Sequence, residues 1–238
     1  MIQSYIFYFF LDRFGSKVLV ASGSNSDKTT EIIDLEDASF RCNVDPYPTS
    51  ASTATGGLVC YTPIICGGIS GSFQKSCYSL NEDGSWKDEA DLNEAKMSAS
   101  TGSVTIDNKM VIAGGHNGGD LKTIEVVAPN TQSEILPIKL PVAHHGLCIV
   151  SWDTNTFMVI GGSGGRTRTF LIHTANNSYT EGPNLQIGHH WTGCNTITVN
   201  GQDYIIVAGG SGAAGSTEYI SKANYASGWK RSKNRTVV

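Results

Sequence analysis

Charge is scarce in this chain: 16% of its 238 residues are Asp, Glu, Lys or Arg, and the formal net charge is −4. That is low for a helical protein and too low for a disordered one, which stays expanded by being charged and poor in apolar residues. Basic runs are absent apart from Lys230-Arg231-Ser232-Lys233-Asn234-Arg235 near the end. This reads as a frayed terminus, so no nucleic-acid partner is expected. No stretch approaches the roughly 20 consecutive apolar residues of a membrane helix, so no membrane span is expected either. A C-x-x-C pair, a nucleophile elbow and a P-loop are all missing. Gly114-Gly115-His116-Asn117-Gly118-Gly119 and Gly161-Gly162-Ser163-Gly164-Gly165-Arg166 are glycine-rich, but no helix follows either to supply the dipole that cradles phosphate. No window of useful length shows helical periodicity.

What the chain has instead is glycine, 27 residues of it, set in a repeat. Four apolar runs end in a glycine pair: 63–66 before Gly67-Gly68, 110–113 before Gly114-Gly115, 157–160 before Gly161-Gly162, and 205–208 before Gly209-Gly210. Their first glycines are 47, 47 and 48 residues apart. A degraded fifth copy is Val18-Leu19-Val20-Ala21-Ser22-Gly23. After each pair come a Gly/Ser-rich loop and a strand-like run, three of which carry Thr and Glu (around Glu31, Glu125 and Glu218). One bulky residue then follows: Phe40, Trp86, Ile135, Tyr179 or Trp229. Asn200-Gly201 between two alternating apolar runs is a hairpin signal. Each unit is therefore expected to be four short strands, and a period near 47 with four strands indicates an all-β propeller. The glycine pair supplies positive φ at a sharp exit from a buried strand, where backbones pack closely. The bulky residue is expected to fill the wedge between neighbouring blades.

The apolar run with its diglycine and the aromatic that follows resemble the kelch repeat family, over nearly the whole chain. The resemblance implies a kelch-type β-propeller in one domain spanning 1–231, with blades at about 5–46, 50–93, 96–140, 142–186 and 188–231, and a tail at 232–238. Departures from the family pattern are the missing first diglycine, Ile135 in place of an aromatic, and a patchy tyrosine ahead of the Trp, as at Tyr78. Tyr5 to Leu11 is read as the first strand of blade one, paired with Lys17 to Ala21 through Arg13-Phe14-Gly15-Ser16. The competing reading of Ile6 to Leu11 as a signal core lacks a preceding Lys or Arg. Propellers of the family usually have six or seven blades, so the chain either closes as five or is a fragment.

Six cysteines are present. On the blade reading Cys66 pairs with Cys77 across adjacent antiparallel strands. Cys148 pairs with Cys194 on the first strands of adjacent blades, and Cys42 is left for Cys60. The alternative is six buried reduced thiols in a cytoplasmic protein. Cys66-Gly67-Gly68 followed by Cys77 also resembles secreted animal kelch-repeat proteins, and an extracellular location is expected. The sequons at Asn176 and Asn234 fall where loops or termini are expected.

For binding, the candidates are Arg166, Arg168, His116, His145 and His190. His144-His145 and His189-His190 hold the same loop position in successive blades. Four imidazoles there could hold zinc or copper. The preferred reading is that they bond loop carbonyls, because no carboxylate or Cys is placed with them by spacing; no metal and no cofactor are expected. Arg166 and Arg168, two apart, are expected to point the same way, and arginine is favoured at interface hot spots. The constellation of the kelch copper-radical oxidases is not found, so no catalytic residue is assigned. The function expected is a non-enzymatic scaffold that binds a protein or matrix partner through loops. The alternatives are a substrate adaptor for a cullin-type ubiquitin ligase and a kelch-type oxidase or sugar epimerase.

Overall fold

A computed structural model describes residues 10–14, 17–21, 28–36, 40–41, 44–102 and 104–232, without side chains for 10–14 and 40–41. The chain is all-β, with small antiparallel sheets in a β-propeller arrangement. Among the described residues the only helix is a single 3₁₀ turn, Tyr225–Ser227.

Four strands recur per sheet, as the repeat implied. The first sheet is β1 (Phe10–Phe14), β2 (Lys17–Ala21), β3 (Thr30–Asp34) and β4 (Phe40–Arg41). The second is β5 (Thr55–Val59), β6 (Thr62–Cys66), β9 (Cys77–Leu80) and β10 (Trp86–Glu89). Between β6 and β9 the chain forms a two-stranded ribbon, β7 (Ile69–Ser70) with β8 (Ser72–Phe73). The third is β11 (Thr105–Ile106), β12 (Lys109–Ala113), β13 (Ile124–Val127) and β14 (Glu134–Ile135). The fourth is β15 (Cys148–Asp153), β16 (Thr156–Ile160), β17 (Thr169–His173) and β18 (Ser178–Glu181). The fifth is β19 (Gly193–Val199), β20 (Gln202–Ala208), β21 (Thr217–Ser221) and β22 (Lys230–Arg231). Asn200 and Gly201 both take positive φ and join Val199 to Gln202, the tight hairpin their sequence predicted.

Contacts divide the chain into two compact units: Met1–Ser98, Asp107–Ile112 and Glu125–Ile135; and Ala99–Ile106, Ala113–Ile124 and Leu136–Val238. In the first, Leu19, Ala21, Tyr47, Ile65 and Leu80 form a core edged by Tyr78 and Trp86. In the second, Met158, Ile160, Leu171, Ile205, Val207, Ile220 and Trp229 pack with the Cys148 strand. Every residue of β16 is buried. It is a central strand covered on both faces, hence its continuous apolar run.

The glycine pairs end their strands in left-handed conformation, φ 64° and 111° at Gly114 and Gly115, 64° and 95° at Gly161 and Gly162. A Cβ on Gly114 would strike the His144 carbonyl oxygen, and one on Gly161 the His189 carbonyl oxygen. The second glycine of each pair uses that same oxygen: Gly115 N donates to His144 O (2.8 Å) and Gly162 N to His189 O (2.9 Å). The doublet thus serves close backbone approach as well as the turn.

Several expectations are corrected. Arg13 and Phe14, expected in the turn, belong to the first strand: they pair with Val18 and Lys17, while residues 5–9 of the expected strand lie outside the described residues. Gly23 and Cys42 lie outside the described residues, as does Asn234. Cys66–Cys77 and Cys148–Cys194 are bonded as expected. The Cys42–Cys60 pair is not among the described bonds, and Cys60 is a free, exposed thiol. Cys60, expected on the first strand of its blade, lies with Tyr61 in the positive-φ turn of the β5–β6 hairpin. The wedge role holds for Trp229, 4% exposed. Trp86 packs edge-on against Tyr47 and donates its indole N–H to Asp45 O (2.9 Å). It fails for Tyr179 and Ile135, 51% and 40% exposed, because outer strands β18 and β14 leave them on the solvent side.

Candidate functional site

The second unit gathers most of the candidate residues into one polar cluster. Gly115 hands the chain to a short loop in which His116 and Asp120 face each other as an isolated bridge, closed by Asn117 N donating to Gly119 O (3.0 Å). Gly118, with φ 73°, allows that reversal. The loop is pinned to the 142–146 linker: His144 N donates to Leu121 O (3.0 Å). That linker is pinned in turn to the loop after Gly162, where Ser163 N donates to His145 O and His145 N donates to Ser163 Oγ, both 3.0 Å.

Side chains converge on Asp120. Its Oδ1 lies 3.0 Å from His116 Nδ1 and 2.8 Å from His145 Nδ1, and Ser163 Oγ donates to its Oδ2. Burial pushes the Asp120 carboxyl up, but the hydrogen bonds from Ser163, His116 and His145 outweigh it and hold the pKa at about 2. The His145 ring meets the His116 ring edge-on at 5.5 Å and the His190 ring at 4.8 Å. His190 is 5% exposed and its Nε2 has no hydrogen-bond partner. Burial, then the nearby His145 and Arg166, lowers its pKa to about 4. Trp191 stacks on His190 (4.3 Å, 21° between planes) and stays 38% exposed. It takes φ 52°, unusual for a bulky residue, and its N–H donates to Gly146 O (2.7 Å). Gly146 is a glycine for a packing reason: a Cβ there would collide with the Trp191 indole and His190 ring.

Four of the five expected binding residues meet here. His116, His145 and His190 form the cluster, and Arg166 lies beside it against Gly188 and Gly212. The fifth does not join. Arg168 donates to Glu181 Oε1 (2.9 Å from Nη2) and lies over the Phe170 ring at 4.7 Å. Arg166 and Arg168 therefore diverge, because they sit in turns ahead of β17 and not on a strand.

The histidine doublets also split. His144 and His189 are wholly buried, while His145 and His190 turn to the cluster. His189 bonds a loop carbonyl as expected, with Nδ1 2.8 Å from Gly209 O, and its Nε2 lies 3.3 Å from Glu218 Oε1. His144 does not: neither ring nitrogen has a hydrogen-bond partner, and the ring faces Phe170 (6.3 Å). Asp120, Ser163 and Trp191 were missed. The expectation that no carboxylate accompanies the histidines is corrected by Asp120, which the glycine turn folds back onto His116.

Ser163 is not an activated nucleophile in this arrangement, since its oxygen is tied to a carboxylate and to a backbone N–H, not to an imidazole nitrogen. The group His116, Asp120 and His145 has the donor types of a metal site. No protein-family model matches the chain, and no curated protein matches it.

Proposed function

We propose that this chain is a non-enzymatic binding scaffold, a kelch-type propeller of five blades that works outside the cell and engages a protein partner through the loops around His145, His190, Trp191 and Arg166. The observation that carries the reading is Trp191. It is a large aromatic held 38% exposed at positive φ, stacked on a buried imidazole, with Arg166 near the same His190. Trp and Arg are the residue types enriched at interface hot spots, and backbone strain concentrates at functional positions. Two disulfides support an oxidising setting, where such bonds persist. Asn176, in an exposed turn, is open to glycosylation there. No described helix is long and apolar enough to cross a membrane.

The test compares capture of extracellular-matrix proteins by the immobilised wild-type chain, Trp191→Ala and Ile135→Ala, the latter an exposed residue of β14 that makes no contact described for the cluster. The reading expects the same bound species with wild type and Ile135→Ala and its loss with Trp191→Ala. Capture that ignores Trp191 overturns it.

A further inference from the structure

We propose that His116, Asp120 and His145 bind one divalent transition-metal ion of the zinc type, with a coordination position left for an outside ligand. Two imidazoles and a carboxylate on a four-coordinate ion are the donor set of open zinc sites. Metal–ligand bonds of about 2.0 Å place tetrahedral ligands about 3.3 Å apart. His116 Nδ1 and His145 Nδ1 already lie 3.0 and 2.8 Å from Asp120 Oδ1, and all the donor atoms fall within 4.8 Å of one another. A few tenths of an ångström of opening would bring both Asp120–histidine edges to that spacing. An imidazole that carries its proton on Nε2 offers the Nδ1 lone pair to a metal.

The surroundings are those of a built site. Ser163 holds the second carboxylate oxygen and is itself fixed by His145 N, so ligand and orienting group share one hydrogen-bond net. Such outer partners set the direction of ligating carboxylates and imidazoles. The three side chains keep 21–30% of their surface, which leaves the ion reachable from solvent. His190 adds an independent observation: its ring meets the His145 ring at 4.8 Å, and its buried Nε2 meets no partner. Zinc has no redox chemistry and is compatible with the disulfides of the chain. This inference does not depend on the scaffold reading, because a metal can bind whether or not Trp191 meets a protein.

The experiment is calorimetric titration of the full chain with Zn²⁺ at neutral pH after dialysis against a chelator. One ion per chain is expected. His145→Ala and Asp120→Asn should each weaken binding by more than Ser163→Ala, for which roughly tenfold is expected. His173→Ala, a histidine paired with Thr156 and Thr180 away from the cluster, should match wild type. Thermal melts in chelator establish that each variant is folded; should Asp120→Asn fail to fold, His116→Ala replaces it. The proposal is overturned if wild type takes up no zinc, or if folded His145→Ala binds it as tightly as wild type.

Discussion

His144 and His189 occupy equivalent places in successive repeats, each offering its carbonyl to the second glycine of a doublet, yet their side chains meet opposite surroundings. His189 faces Glu218, a fully buried carboxylate that also accepts the N–H groups of Gln186 (2.7 Å) and Ile187 (2.9 Å). The His144 ring faces Phe170, and neither of its nitrogens has a hydrogen-bond partner. In the first unit the same scheme recurs with a different cation. Glu125 accepts from Asn93 N and its Oε2 lies 3.2 Å from Lys96 Nζ, with both side chains fully buried. Two of the three Thr/Glu strands, those of Glu125 and Glu218, thus carry a clamp: a buried glutamate holds the backbone of the preceding linker and is matched by a cation or imidazole from it, whereas Glu31 is exposed. Where the glutamate becomes Phe170, the clamp is apolar and the histidine is left neutral. One doublet position is therefore structural, and the next, His145 or His190, is free to build a site.

The largest break in this comparison is Glu218→Ala. It strips the partner from two backbone N–H groups and from His189, and loss of one member of such a buried set costs about 3–5 kcal/mol. At roughly 2–4 °C per kcal/mol for a chain of this size, melting should fall by about 10 °C. A drop of 2 °C would mean that the clamp does not hold the linker. Next is the covalent tie between β15 and β19: the double substitution Cys148→Ser with Cys194→Ser is expected to cost about 2–5 kcal/mol in denaturant titration. Intact mass without reductant should meanwhile register the two bonds described, Cys66–Cys77 and Cys148–Cys194.

Acid sharpens the contrast further. Burial, assisted by the charge of Arg168, lowers the His144 pKa to about 4, against about 6.5 in an unfolded chain. The unfolded state then binds more protons, so stability rises with pH across that window. The contribution is fully present above about 6.5 and is lost as pH falls toward 4, roughly 3 kcal/mol in all. In chelator, His144→Leu should flatten the pH dependence and change stability at pH 7 by no more than about 1 kcal/mol, because it removes two unpartnered nitrogens. An unchanged acid slope in that variant would place the sensitivity elsewhere.

Much of the fold could be read from residues alone because its signals are local. A run such as Phe157 to Ile160 before Gly161-Gly162 announces a buried strand and its exit, and Asn200-Gly201 announces a hairpin. The Cys66–Cys77 and Cys148–Cys194 bonds followed once strands were placed in order. Signals failed where the answer depends on which side of a short strand faces water. Tyr179 and Ile135 share the repeat position of Trp229 but lie exposed on two- to four-residue outer strands. Cys60 failed for another reason, since a non-glycine pair rarely makes a tight positive-φ turn and nothing in Val59-Cys60-Tyr61 marks one. The site was half legible. His145 and His190 stood out as a repeated doublet. Asp120 belongs to a loop distant in sequence and reaches His145 only through the backbone pairing of Leu121 with His144.

The division of labour between the two positions of each doublet is tested most directly by melting His189→Ala and His145→Ala side by side in chelator. His189→Ala leaves Glu218 buried without its imidazole and should melt several degrees below wild type, while His145→Ala, partly exposed and outside the core, should melt within about 2 °C of it. Equal losses, or a larger loss for His145→Ala, would contradict the assignment of the inner histidine to the fold and the outer one to the site.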